Sequence, residues 1–196
     1  MRERIEERIA AELEESVAVK RRVLAEETAT VAAIAEAIIG GLKSGKKIVL
    51  FGNGGSAADS QHIAAELVGR FRRERRALAA VALTTDTSIL TSIANDDAFE
   101  NVFARQIEAI GEEGDIAIGI STSGTSPNVL NALRTARRMG LTTVGFTGES
   151  GGGVRDVVDL CFRVPSGSTP RIQEAHIAVA HAICDVVEEA LADADG

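Results

Sequence analysis

Residues 47–67 read KIVLFGNGGSAADSQHIAAEL: a short apolar run that passes through a cluster of glycines into a helical stretch. The run at 47–51 shows no alternation, as expected of a strand buried on both faces. The same order recurs downstream. Apolar runs at 79–83, 115–120, 142–146 and 160–164 are separated by helical stretches at 59–71, 101–110 and 128–139, and a last helix is expected at 171–191. Strands alternating with helices predict an α/β fold with a parallel sheet covered on both faces. Ligands of such sheets bind beyond the carboxyl ends of the strands.

Upstream of this pattern, Ile5, Ile9, Leu13 and Val17 recur at helical spacing, as do Val31, Ile34, Ile38 and Leu42. They predict one long helix or two consecutive ones, ending near the Gly40-Gly41 pair. So narrow an apolar stripe is expected to pack on another helix, here a partner subunit's. With no internal repeat and no low-complexity linker, we expect one domain over 1–196, with 1–45 a helical segment used in oligomer packing.

Composition narrows the function. The 196 residues are 45% hydrophobic and 26% charged, as in a soluble globular protein. A net charge of -8 and the absence of Tyr and Trp argue against nucleic acid as a partner. Arg70, Arg72, Arg73, Arg75 and Arg76 form one basic run, read as a solvated helix end. Cys161 and Cys184 have neither a metal spacing nor a disulfide pattern, and are expected to be buried thiols in a reducing compartment. The opening MRERIEERIAAELEE lacks the apolar core of a signal peptide, and no apolar run is long enough to span a bilayer. A cytoplasmic location without membrane attachment is expected.

Two loops carry the chemistry. Gly52-Asn53-Gly54-Gly55-Ser56 lets backbone amides approach an anion at a helix N-terminus, although its spacing is neither a dinucleotide fingerprint nor a Walker loop. Taken alone it reads equally as a tight turn capped by Ser56. Ser121-Thr122-Ser123-Gly124-Thr125-Ser126-Pro127 is stronger. Ser126 before Pro127 marks a helix start, but capping accounts for one of the five hydroxyls at this strand end. Hydroxyls and free amides together make a neutral phosphate cradle. Asn95-Asp96 follows the second strand, placed either to bond sugar hydroxyls or to form an Asx turn before a helix near Asp97.

His62 and Glu66 are four apart and share a helix face, as a surface ion pair or as a metal or acid/base pair. Because their helix leaves the glycine loop, they are expected near the ligand. His176 and His181 lie on the last helix, five apart and turned away from each other; the residues alone do not decide which is functional.

GNGGSAADSQHIAAEL, SIANDDAF, GDIAIGISTSGTSPNV and RIQEAHIAVAH together resemble the phosphoheptose isomerases, a family of sugar-isomerase (SIS) domain proteins, over nearly the whole chain. The resemblance implies a three-layer, flavodoxin-like SIS domain with a five-stranded parallel sheet and a long N-terminal helix. It further implies a homotetramer with active sites at subunit interfaces. The implied reaction converts sedoheptulose 7-phosphate to D-glycero-D-manno-heptose 7-phosphate, the first step toward nucleotide-activated heptose. It places substrate contacts on Asn53, Gly54, Gly55, Ser56, Glu66, Asn95, Asp96, Ser121, Thr122, Ser123, Ser126 and Gln173. Glu66 takes the role of general base and His181 that of general acid, while His62, Glu66, Gln173 and His181 match the ligands of one zinc per subunit. Pro170 stands where some members carry an Asp, so any role of that acid is absent. The alternative is a non-catalytic SIS-domain protein that binds the replication initiator. That group resembles this chain in both loops but lacks the counterparts of Glu66 and His181. A sugar-phosphate-sensing regulatory module is a third class, one that usually accompanies a second domain.

Overall fold

The computed structural model describes residues 1–192. Two helices, α1 (Arg2–Glu26) and α2 (Thr28–Lys43), lead into β1 (Ile48–Gly52), α3 (Gly55–Val68) and β2 (Ala80–Ala82). Then come α4 (Thr87–Asp96), a 3-10 turn (Phe99–Asn101), α5 (Ala104–Ile110), β3 (Ile116–Ile120), α6 (Pro127–Arg138), β4 (Thr142–Thr147), β5 (Leu160–Arg163) and α7 (Thr169–Ala192). All strand pairs are parallel, in the order β2-β1-β3-β4-β5, the flavodoxin-like arrangement. No helix among the described residues is long and apolar enough to cross a membrane.

Successive strand residues face opposite sides. Ile48, Leu50, Ile118 and Phe146 join a core with α1, α2, α3 and α7, whereas Val49, Phe51 and Ala117 join a second core with α5 and α6. The helices that follow the adjacent strands β1 and β3 therefore leave toward opposite faces. This is a topological switch point, and a crevice opens there between the two strand ends. Lys47 and Asp115 fasten the other end of the same strands, Nζ to Oδ2 at 2.6 Å, and the carboxylate of Asp115 also accepts the amides of Lys47 (3.0 Å) and Glu112 (2.8 Å).

Four local expectations are corrected. The N-terminal segment takes the second of its two expected forms, consecutive helices meeting at Glu27, but α2 runs through Gly40-Gly41 to Lys43 instead of stopping there. A Cβ on Gly41 would collide with Ile116 of β3, so this glycine serves close helix-to-sheet approach. α3 begins at Gly55, with Gly54 as its N-cap at φ 57°, so Ser56 lies inside the helix and caps nothing. α4 was not anticipated: the carboxylate of its N-cap, Asp86, accepts the Ile89 amide at 2.9 Å, and Leu90, Ile93 and Ala94 rest half-buried on the second core. The arginine run is no helix end, because α3 stops at Val68 and the side chain of Arg75 is only 1% exposed, paired with Glu188. Of the two free cysteines Cys184 is buried, its thiol pushed up to about 12 by burial, while Cys161 on β5 is only half-buried.

His176 is a core residue. It is 1% exposed, packs against Phe146 and Phe162, and donates from Nε2 to the Thr147 carbonyl at 3.1 Å. Nδ1 has no partner, which suits a neutral ring, and burial lowers the pKa from 6.5 to about 4. The unfolded chain therefore takes up a proton at this position before the folded one does. Stability attributable to His176 is complete above the unfolded value and is lost as pH falls toward 4, at about 1.4 kcal/mol per pH unit. Urea unfolding at about pH 7 and about pH 5 is expected to show this loss in the parent and a shallower one in His176→Gln; equal slopes would remove His176 as the source.

Loop 148–153 closes backbone-to-backbone over the serine loop: Gly148 N donates to Thr122 O and Val154 N to Gly124 O, both at 3.0 Å. Gly124 has φ 67°, and a Cβ there would strike the Gly151 carbonyl. Gly124→Ala is expected to cost about 1–3 kcal/mol for the left-handed backbone alone, measurable as a lower urea midpoint. A midpoint equal to the parent's would show that the two loops do not need this contact.

Candidate active site

At the switch point the two loops face each other at the ends of β1 and β3, where Gly52 pairs in register with Ile120. A reciprocal amide pair joins them: Asn53 Nδ2 donates to Asn128 Oδ1 (2.9 Å) and Asn128 Nδ2 to Asn53 Oδ1 (2.8 Å). Asn128 is 2% exposed and also accepts the Val129 amide, so this strut is fixed by the start of α6. The sequence reading passed over Asn128; its place just after the helix-starting Pro127, opposite an asparagine in the other loop, was the available signal.

In the serine loop, Ser126 is the N-cap of α6 by position but makes no side-chain cap. Its hydroxyl instead meets that of Ser121 at 3.0 Å. Capping thus consumes none of the hydroxyls. Ser123 Oγ accepts from the Thr125 hydroxyl (3.0 Å) and amide (3.3 Å). The amides of Thr122, Ser123 and Ser126 have no partner among the described residues. Unspent amides and hydroxyls at the mouth of a helix form a neutral anion cradle. Gln173, in the second turn of α7, reaches the other loop: a Cβ on Gly55 would lie 2.5 Å from its Nε2. Asn53, Gly54, Gly55, Ser56, Ser121, Thr122, Ser123, Ser126 and Gln173 therefore occupy one ledge around the strand ends. Asn95 and Asp96 close α4, both exposed and bonded to each other at 2.7 Å; no contact joins them to that ledge among the described residues.

A second cluster lies further along α3. His62 Nε2 is 3.1 Å from Glu66 Oε1, and His181 Nε2 is 3.3 Å from His62 Nε2. One ligand atom from each of the three residues falls within 4.8 Å of the others. The three come from α3 and α7, which pack on each other in the first core. Phe71 stacks on the His181 ring (centroids 5.3 Å apart, 30°) and sets its orientation. With His176 buried in the core, the structure resolves which histidine of α7 is available for chemistry. Asp59, one turn before His62, was also passed over: Oδ2 is buried without a partner, and burial raises its pKa against the pull of His62.

Along α3, His62 and Glu66 stand apart from the glycine loop. They lie seven and eleven residues beyond Gly55, about 10 and 16 Å along a regular helix. Gln173 and His181 are likewise about 12 Å apart along α7, which is helical from Thr169, so an unwound first turn does not bring them together. Each chain carries an amide and hydroxyl ledge near the starts of α3 and α7 and a His/Glu cluster two to three turns further along them.

The SIS-domain family model matches residues 13–148. The chain is 59% identical over 180 residues to the phosphoheptose isomerase of Roseiflexus sp. (strain RS-1), covering 92% of this chain and 91% of that one. It is 55% identical over 185 residues to that of Geobacter metallireducens, covering 94% and 98%. Among solved structures, the phosphoheptose isomerase of Neisseria gonorrhoeae superposes with a TM-score of 0.90 at 42% identity, over 94% of this chain and 99% of that one. That of Francisella tularensis gives 0.90 at 34% identity, over 93% and 97%. The chain belongs to the phosphoheptose isomerases of the SIS-domain family and is an aldose–ketose isomerase.

Proposed function

We propose that the protein converts sedoheptulose 7-phosphate to D-glycero-D-manno-heptose 7-phosphate through an enediol, as the first step of nucleotide-activated heptose synthesis in the cytoplasm. The observation that carries this reading is the convergence of Glu66, His62 and His181 on one point, apart from a cradle suited to the substrate's phosphate.

Ser121, Thr122, Ser123 and Ser126 hold the phosphate, and Asn53 to Ser56, Asn95, Asp96 and Gln173 bind the sugar hydroxyls. Glu66 takes the proton from C1 while His181 gives one to the C2 oxygen, leaving an enediol. His181 then takes the O1 proton as the aldehyde forms, and Glu66 returns the carbon-bound proton to C2. No oxidant or reductant enters the balance.

The donor set also fits zinc. Ligand bonds of 2.0–2.1 Å in a tetrahedron require edges of about 3.3–3.4 Å, and the cluster has edges of 3.3 and 3.1 Å. His62, Glu66 and His181 would hold the ion, which supplies Lewis-acid polarisation of the sugar carbonyl. A carboxylate bound tightly to a metal is a weaker base, so Glu66 alternates between the two duties.

The fourth ligand, Gln173, comes from another subunit, as does the phosphate cradle that serves this cluster. The separation along α3 and α7 supports this reading, as does α1, where Ile5, Ile9, Leu13 and Val17 are 47–63% exposed and the first three line a groove of about 800 Å³. That stripe is the packing surface of a homotetramer.

Purified protein supplied with sedoheptulose 7-phosphate is expected to form the aldose, followed by NMR, and Glu66→Gln to slow this by at least about 100-fold with its circular dichroism unchanged. Near-parental turnover would remove Glu66 from the chemistry. Gln173→Ala and His181→Ala, each inactive alone, are expected to recover activity when unfolded and refolded together, since about a quarter of the mixed sites then draw both residues from intact chains. A mixture as inactive as its parents would place both residues of each site in one subunit.

A further inference from the structure

The segment between α3 and β2 carries five arginines and wraps around an acid. Glu188, on α7, is completely buried. Its Oε1 accepts the Phe71 amide at 2.9 Å, and its Oε2 accepts the amides of Arg72 (2.7 Å) and Arg73 (2.8 Å). The Arg75 guanidinium, itself 1% exposed, lies 3.2 Å away. Burial acts to raise the Glu188 pKa, but these amides and the guanidinium outweigh it and hold the carboxyl below its usual range. A buried ion pair of this kind adds little net stability and is costly to break by halves. Its distinctive effect is on geometry.

That geometry leads to the reactive cluster by two routes. Phe71, whose amide Glu188 holds, lays its ring against His181. His181 in turn meets His62 edge-on, at 4.9 Å and 71°. Arg75, held by the same carboxylate, donates from one terminal nitrogen to the carbonyl of Glu66 (2.9 Å) and from the other to that of Gly69 (3.0 Å), at the end of α3. Glu188 is seven residues beyond His181, two turns along the same face of α7. One carboxylate thus sets the angle of His181 from outside and anchors the helical turn that carries Glu66.

We propose that Glu188 is a positioning residue for the His62–Glu66–His181 cluster, acting through Phe71 on His181 and through Arg75 on Glu66. It touches neither substrate nor metal. The inference rests on the proposed role of that cluster, and its test is chosen to separate the two. With histidines isotopically labelled, NMR gives three sets of ring signals, one per histidine. The ring current of Phe71 displaces those of His181, and Phe71→Leu defines their undisplaced position. In Glu188→Gln the His181 signals are expected to move toward that position, while His176, bonded to Thr147 in the core, stays in place and reports an intact fold. Zinc affinity, measured against a chromophoric chelator, is expected to fall about 10–100-fold in Glu188→Gln and in Phe71→Leu, the range for losing a group that orients a ligand. Turnover should fall with KM for the sugar phosphate unchanged.

A Glu188→Gln protein with parental His181 signals and parental zinc affinity, merely melting at a lower temperature, overturns the proposal. If that variant does not fold, Phe71→Leu decides, because parental zinc affinity and turnover there would break the chain at its last link. A parent protein that binds no zinc sinks the metal reading instead, and the His181 signals still decide the role of Glu188.

Discussion

Strand order reverses between β1 and β3, and the site follows from that reversal. Once β2 lies outside β1, and β4 and β5 lie outside β3, the helices after the two central strands leave on opposite faces and their N-termini cannot fill the space between them. The backbone at both strand ends then has donors with no helix or strand to satisfy them. Short, small residues are the chemistry that tolerates this, and the chain supplies glycines at one end and hydroxyls at the other. The Asn53–Asn128 pair spans the gap without bringing in charge.

A regular α-helix also acts as a ruler. α3 begins at the ledge and carries the acid cluster at its far end, while α7 holds Gln173 near the glycine loop and His181 beside His62. Both helices therefore hold the amide and hydroxyl ledge apart from the His/Glu cluster within one chain. Under the proposed function, symmetric assembly is the economical way to unite them, because a second copy offers the other half at no cost in new sequence. The apolar stripe on α1, which the chain itself leaves uncovered, suits that role.

Much of the architecture was legible in the sequence, because uninterrupted apolar runs such as 47–51 and 115–120 have few alternatives to buried parallel strands. The serine loop stood out for a similar reason, since five hydroxyls exceed what a helix cap needs, and none of them caps α6. What failed was tertiary. Gly40-Gly41 carries the signature of a helix stop, and only the proximity of Ile116 shows that it marks a close crossing. The arginine run carries the signature of a solvated helix end, because nothing local shows that Glu188, more than a hundred residues away, lies inside it. His176 and His181 are indistinguishable by composition; burial beside Thr147 separates them. α4 was missed although Ile89, Leu90, Ile93 and Ala94 recur at helical spacing after Asp86, a capping residue.

Loop 148–153 rests on the serine loop through main chain alone. Side chains added at Gly124 or Gly152 would run into the carbonyls of the facing loop. Natural variation at this contact is therefore closed, whatever sugar a relative has come to use. Asn95 and Asp96, proposed to meet the sugar, are exposed side chains that can be exchanged without moving the backbone. In a lineage built on this scaffold, the proposed phosphate anchor is expected to stay constant while preference for the rest of the sugar drifts.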